Sequence, residues 1–494
     1  MNNLNAEQSA FFAQIAALAF VNPFSREREQ AELLALNLKR KVVSAAGRRQ
    51  LLIEKLDSRL LEVSGQSGFD IRRYEGKTQE MMHLAWLVKI IYAYQARFDD
   101  FIKAQQQAGD KVLELPFART IVEESERAGF TQQQTAHTIA LLFQLQRAFR
   151  FIDEAVSGSS DAMVDIRKRL WNNIFTFNPA WYLNYLCRRM EDFSLLLLGE
   201  TGTGKSLVAK AVGCSGYIPF DVAARRFAES FTASFKAINL SQYSTGVLES
   251  ELFGHKKGAF TGAIDNHPGL FAKCSKHGSV FIDEIGDIDI PIQVKLLNVL
   301  QDRMYSPVGS YEQRRFEGRV ISATNRSIEQ LMEAGQFRKD FYYRLCSDVI
   351  TFPNLRERIR QNPDELRELI AGLLHRVIET PEAELVDRIE TRIREAVPST
   401  YHWPGNVREL EQCIRRICIT GNYQGQALPT VNRADTSMFQ SDAGGNYPTA
   451  EQLLQNYCRF LYDQHHSYET VARIAGLDRR TVKKYIDLDE YKNF

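Results

Sequence analysis

Residues Ser194 to Ser206 read SLLLLGETGTGKS. Leu195 to Leu198 make an apolar run of strand length. Gly199-Glu200-Thr201-Gly202-Thr203-Gly204-Lys205-Ser206 then fits G-x-x-x-x-G-K-[ST], followed by a helix-like LVAKAV. Strand, Gly-rich turn and helix in that order form a phosphate-binding P-loop. Its glycines let backbone N–H groups turn toward phosphate oxygens, Lys205 reaches the terminal phosphates of a nucleotide such as ATP, and the Ser206 hydroxyl suits Mg2+.

Other segments add chemistry to this loop. A second apolar run, Ser279 to Ile282, delivers Asp283 and Glu284. In register after a P-loop, Asp283 suits Mg2+ held through water and Glu284 suits orienting and deprotonating an attacking water. Phe235 to Ile238 reads as a strand ending at Asn239, and Val320 to Ala323 as one presenting Thr324 and Asn325. Turn or helix capping is the alternative role for these asparagines. Between the strands lies Gly258-Ala259-Phe260-Thr261-Gly262-Ala263, in which one bulky apolar residue sits among small ones at an expected loop tip.

That hexapeptide beside a P-loop resembles the signature loop of sigma-54-dependent transcriptional activators, the bacterial enhancer-binding proteins of the AAA+ superfamily. The resemblance runs from about 160 to 425, a little over half of the 494 residues. It implies that residues 258–263 touch the sigma factor, that Asn239 couples nucleotide state to the loop through Glu284, and that Asn325 senses the terminal phosphate. The segment FRKDFYYRL at 337–345 resembles the family's arginine-finger helix, so Arg338 and Arg344 would complete a neighbouring subunit's site in a homo-oligomeric ring, by family precedent a hexamer. WPGNVREL at 403–410 resembles the second sensor, with Arg408 reaching nucleotide from a helical lid; Pro404 and Gly405 also suit a purely structural break before a helix. Ser206 stands where most members carry an acidic residue, and residues 213–234 exceed the usual connection, without an assignable role.

Such a length exceeds what a single core accommodates. The net charge of +1 gives no bulk attraction to nucleic acid, so any DNA contact must come from a local basic face. Seven scattered cysteines show no zinc spacing and read as reduced thiols of a cytoplasmic protein. The early run FFAQIAALAF follows a flank without basic residues, unlike a secretion signal, and places Phe11, Ile15 and Leu18 on one helical face. No apolar run is long enough to span a bilayer.

Residues 1–158 read as a mostly helical, regulatory domain, separated from the motor by a joint at SGSSD, 157–161. Lys39, Arg40, Lys41, Arg48 and Arg49 form a basic cluster there, either a solvated helix face or a surface for nucleic acid or another acidic partner. The motor is expected to divide into an α/β core, 159–360, and a helical lid, 361–425. A linker at 426–447 precedes residues 448–494. Near Ser467 to Ile486 the spacing is that of a helix-turn-helix: Gly476 ends one helix, Asp478 caps the next, and Arg479, Arg480, Lys483 and Lys484 supply a basic face for double-stranded DNA.

The expected fold is therefore multidomain: helical N-terminal domain, P-loop AAA+ core with lid, and C-terminal helix-turn-helix. The expected function is an ATP- and Mg2+-dependent activator that binds DNA upstream of a promoter and remodels sigma-54 RNA polymerase holoenzyme, without a membrane partner. The alternative is a remodelling ATPase acting on another client.

Overall fold

The computed structural model describes residues 4–19, 21–38, 44–65, 68–376, 378, 382–398, 400–423, 449–465 and 467–487. The chain divides into two compact units, 1–423 and 424–494.

Unit one opens with α1 (Ala6–Leu18), α2 (Arg26–Leu36), α3 (Ala45–Ser64), the long α4 (Gly76–Ala108), α5 (Ala118–Arg127), α6 (Gln132–Ala155) and α7 (Asp161–Phe175). Phe11, Ile15 and Leu18 are buried as their spacing requires, and Asn5 starts α1 through a capping box with Gln8. A short α8 (Pro179–Trp181) leads to β1 (Leu195–Leu198) and the P-loop helix α9 (Lys205–Gly213). Next come the hairpin β2 (Phe220–Asp221) and β3 (Arg226–Phe227), then β4 (Phe235–Asn239), α10 (Thr245–Phe253), α11 (Gly269–Lys273), β5 (Ser279–Asp283) and α12 (Ile290–Asp302). The hairpin β6 (Met304–Tyr305) and β7 (Arg314–Arg315) precedes β8 (Arg319–Thr324), α13 (Ile328–Glu333), α14 (Lys339–Leu345) and β9 (Asp348–Thr351). Helices α15 (Leu355–Gln361), α16 (Glu365–His375), α17 (Ala383–Ala396) and α18 (Asn406–Thr420) close the unit around their own apolar cluster.

Five strands form one parallel sheet in the order β4-β5-β8-β1-β9. Parallel strands covered on both faces need apolar side chains on both, which is why LLLL and SVFI lack alternation. One apolar cluster packs against one face of the sheet around Leu296 and Phe341; another runs without interruption from Phe11 through α6 and α9 to Ile321 and Phe352. Strand β9, unanticipated in the sequence, pairs with β1.

The expected joint at 157–161 is not a seam. Ser157 offers its carbonyl to Arg358 at 2.6 Å, and Ser160 donates its N–H to Glu365 at 3.1 Å. Residues 213–234, unassigned in the sequence, hold the N-terminal helices to the motor. Phe227 stacks on Phe143 of α6 at 4.1 Å, Phe231 lies against Phe143 and Phe151, and Leu115 N–H bonds to Arg225 O at 2.8 Å. Burial of each such ring is worth roughly 1.5–3 kcal/mol. Arg147, fully buried on α6, donates to Cys214 O at 2.6 Å and Gly216 O at 2.8 Å, just past the end of α9. A cation at a helix C-terminus meets carbonyls left without partners and the negative end of the dipole. Burial lowers the Arg147 guanidinium to about 9, with Cys214, Tyr182 and Glu229 opposing.

The basic cluster is also revised. Lys39, Arg40 and Lys41 lie outside the described residues; Arg48 is buried, paired with Glu29 and Glu32 at 3.2 Å each, and Arg49 bonds Gln95. The cysteines are free thiols; Cys214, Cys413 and Cys458 are buried, and Cys418 is exposed. Among the described residues no helix is long and apolar enough to cross a membrane.

In unit two, α19 (Ala450–His465), α20 (Tyr468–Ala475) and α21 (Arg479–Asp487) pack around Cys458, Leu461, Val471 and Val482. Gly476 takes φ of 66° at the end of α20, a left-handed turn that favours glycine, and Asp478 accepts from Arg480 N–H at 2.8 Å. The expected linker, 426–447, lies outside the described residues.

Removing residues 1–158 should therefore give an aggregating protein rather than a free motor, because Phe227 and Phe231 lose their cover; size-exclusion chromatography reads this. Arg147→Ala should cost about 3 kcal/mol, leaving buried carbonyls unpaired, and appear as a lowered Tm of the whole first unit.

Candidate nucleotide site and partner loop

The P-loop leaves β1 and enters α9, with β8 between β1 and β5, so three strand ends converge on one place. Lys205 is buried, its Nζ donating to Gly199 O at 2.7 Å and Glu200 O at 3.1 Å. Burial lowers the Lys205 amine and Arg408 adds to this, while Glu284 and Asp283 oppose it. Ser206 Oγ donates to Asp283 Oδ2 at 3.2 Å, setting two hard oxygen donors side by side. Mg2+ is commonly held by one or two such protein oxygens, with phosphates and waters completing the octahedron. No cluster of three or more His, Cys, Asp or Glu suited to a metal occurs among the described residues.

Glu284 takes φ of 57°, uncommon for a residue with a side chain. Burial, then the Asp283 charge, pushes its carboxyl above the usual carboxylate value. Its Oε2 accepts from Asn325 N–H at 3.4 Å, and Asn325 Nδ2 donates to Thr201 Oγ1 at 2.9 Å, linking the end of β8 to both acid and P-loop. Asn239 lies on the same cavity but caps its own turn, accepting from Ser241 N–H and Oγ at 3.0 and 2.7 Å. This is the capping alternative, with no Asn239–Glu284 hydrogen bond among the described residues.

Thr201, Lys205, Ser206, Asn239, Asp283 and Glu284 line a cavity of about 370 Å3, and Asn325 stands outside its lining. Gly202, Thr203 and Gly204 border it, and Arg408 enters from α18, as its sequence context implied. Gly202 has no room for a side chain: a Cβ there would stand 2.2 Å from Gly405 O. Sequence reasoning missed the lid's hold on the loop. Asn406, fully buried, donates to Glu200 Oε2 and Thr201 O at 3.0 Å each and accepts from Leu355 N–H at 2.8 Å. Arg356 pairs with Glu200 at 3.2 Å. Met163, Leu369 and Leu373, also unforeseen, supply apolar wall, and Arg358 and Arg376 more positive charge. Scattered single residues on four helices leave no motif to read.

Arg338 and Arg344 do not line this cavity. Arg338 is exposed and paired with Asp340 at 2.7 Å; Arg344 is exposed on α14.

Residues 258–263 form a compact loop closed by Gly258 N–H to Ala263 O at 2.8 Å. Phe260 is 46% exposed, edge-on to His255 at 4.9 Å, and Thr261 is exposed beside it. The β6–β7 hairpin loop props it: Lys256 N–H bonds to Val308 O at 3.1 Å, Gly309 abuts Ala259, and Lys256 pairs with Glu312 at 3.0 Å.

The Sigma-54 interaction domain family matches residues 186–351, and the AAA+ ATPase lid domain family residues 358–435. The sigma54-dependent transcriptional activator SfnR of Pseudomonas putida is 35% identical over 318 residues, 59% of this chain and 81% of that protein. The chain belongs to the sigma-54-dependent transcriptional activators. DNA-binding transcriptional regulator NtrC of Azospirillum brasilense is 38% identical over 337 residues, covering 60% of this chain and 65% of NtrC. Transcriptional regulatory protein GlrR of Escherichia coli (strain K12) is 40% identical over 308 residues, covering 61% and 63%. The alignment thus spans under two thirds of the latter two. Among solved structures, NtrX from Brucella abortus in complex with ADP covers 75% of this chain at 18% identity and a TM-score of 0.40, a likeness too slight to bear on this activator's chemistry.

Asn406→Ala should loosen the lid from the P-loop and weaken ATP binding about tenfold, a loss of roughly 1.4 kcal/mol, in equilibrium nucleotide titrations.

Proposed function

We propose that the chain is an ATP-hydrolysing activator that binds promoter-upstream DNA and remodels sigma-54 RNA polymerase holoenzyme through residues 258–263. The observation that carries this reading is the convergence of Lys205, Ser206, Asp283, Glu284 and Arg408 on one cavity, while Phe260 stays exposed outside its lining. Lys205 and the loop N–H groups hold the phosphates, with Ser206 and Asp283 placed to hold Mg2+, which would offset phosphate charge. Glu284, its carboxyl raised by burial, takes a proton from water as general base. Asn325, bonded to Thr201 and to Glu284, is placed to report the terminal phosphate. Asn239 acts in the coupling only by leaving its capping bonds for Glu284.

Arg338 and Arg344, exposed and outside the subunit's own cavity, supply charge to a neighbour's site in a homo-oligomeric ring, a hexamer by family precedent. Arg479, Arg480, Lys483 and Lys484 are exposed on α21, whose N-terminal half would enter the major groove. The relatives' names describe transcription regulators, NtrC's a DNA-binding one, which supports DNA binding by this chain.

Phe260→Ala should leave ATP hydrolysis near parental levels yet abolish ATP-dependent open-complex formation at a sigma-54 promoter, read by permanganate footprinting. An ATPase-active wild type that neither binds nor remodels sigma-54 holoenzyme would assign the loop to another client. For the ring, Arg344→Ala and Lys205→Ala proteins, each inactive alone, should recover hydrolysis when co-assembled, since some interfaces then pair an intact P-loop with an intact arginine. Demonstrably mixed rings without recovery would remove Arg344 from the shared site.

A further inference from the structure

A second cavity, of about 660 Å3, lies among the N-terminal helices, within the size range of small-molecule sites. We propose that it binds a small amphipathic carboxylate bearing a hydroxyl or N–H group. One wall is apolar, with Val88, Leu145, Phe149 and Trp171. The other carries Arg28, Arg48 and Arg49 against only Glu29 and Glu32. The two acids are already engaged. Arg28 bonds to Glu32 at 3.2 Å, and also to Tyr92 and the Leu18 carbonyl, while Arg48 pairs with both Glu29 and Glu32. Arg49 is left with Gln95 Oε1 at 3.1 Å and with no carboxylate at ion-pair distance among the described residues.

Half-buried at the cavity, with Asp99 acting on it only through space, Arg49 keeps donors that a bound carboxylate can engage in charge-assisted hydrogen bonds. Gln146 supplies the second requirement. It is 6% exposed, it lines the cavity, and its Oε1 has no hydrogen-bond partner among the described residues. A buried acceptor left unpaired costs about 1–3 kcal/mol, which a ligand hydroxyl or N–H recovers.

The test is calorimetric titration of the full chain, without nucleotide, with hydroxynaphthoate, naphthoate and naphthol; it therefore stands apart from the assignment of the ATPase. Hydroxynaphthoate should bind saturably, on the order of 10 μM, and naphthol about tenfold or more weaker. Arg49→Gln should weaken hydroxynaphthoate about tenfold and Arg49→Lys should restore most of the affinity. Gln146→Leu should reduce hydroxynaphthoate binding to that of naphthoate while leaving naphthoate unchanged. Absence of saturable hydroxynaphthoate binding up to about 1 mM, or equal affinity in wild type and folded Arg49→Gln protein, would overturn the proposal.

Discussion

The buried guanidinium of Arg147 ties the two halves of the first unit together. It lies over the Phe143 ring at 4.4 Å and near Phe231, with its N–H groups on the carbonyls that follow the P-loop helix. A charge held without water must keep every one of those partners, so α6, α9 and the 213–234 hairpin are constrained as one body. Gln144 adds to the same clasp, donating to Ser215 O at 2.9 Å and to Tyr182 Oη at 2.6 Å. The N-terminal helices thus share one core with the α/β sheet, and they cover the helix that follows the P-loop.

The opposite side of the nucleotide site is held by a different device. Glu200 of the P-loop is bonded by Asn406 and Arg356, and Val407 N–H reaches Gly202 O at 3.1 Å. Phosphate loop and lid therefore move as a set. Between the clasp and the lid, the Arg358–Glu365 pair bonds back to Ser157 and Ser160, so the chain entering the motor is fixed to the lid helices. Three contacts of different chemistry, guanidinium to carbonyl, amide to carboxylate and buried ion pair, thus fix the far end of α9, the phosphate loop and the chain entering the core.

The loop at 258–263 is built on another principle. Its glycines carry positive φ at Gly258 and Gly262, and its outward face leaves Phe260, Ile264 and, from the adjoining hairpin loop, the fully exposed Tyr311. Apolar side chains on a glycine-hinged loop are costly unless a partner covers them. The fold of the motor does not need them there.

The sequence by itself determined the local geometry. A Gly-rich turn between an apolar run and a helix dictates the P-loop, because backbone geometry allows few alternatives; paired acids after SVFI, Asn325 after its strand and Gly476 at its turn were legible for the same reason. Arg408 was also legible, through its WPGNVREL context, and it enters the cavity. Only the tertiary structure decided which distant groups meet. It placed β8 between β1 and β5 and brought Asn406 onto Glu200. It also turned Arg48 from a surface charge into a buried ion pair and made residues 213–234 the seat of the N-terminal helices. Those outcomes depend on packing between segments up to some two hundred residues apart, where neither periodicity nor spacing carries a signal.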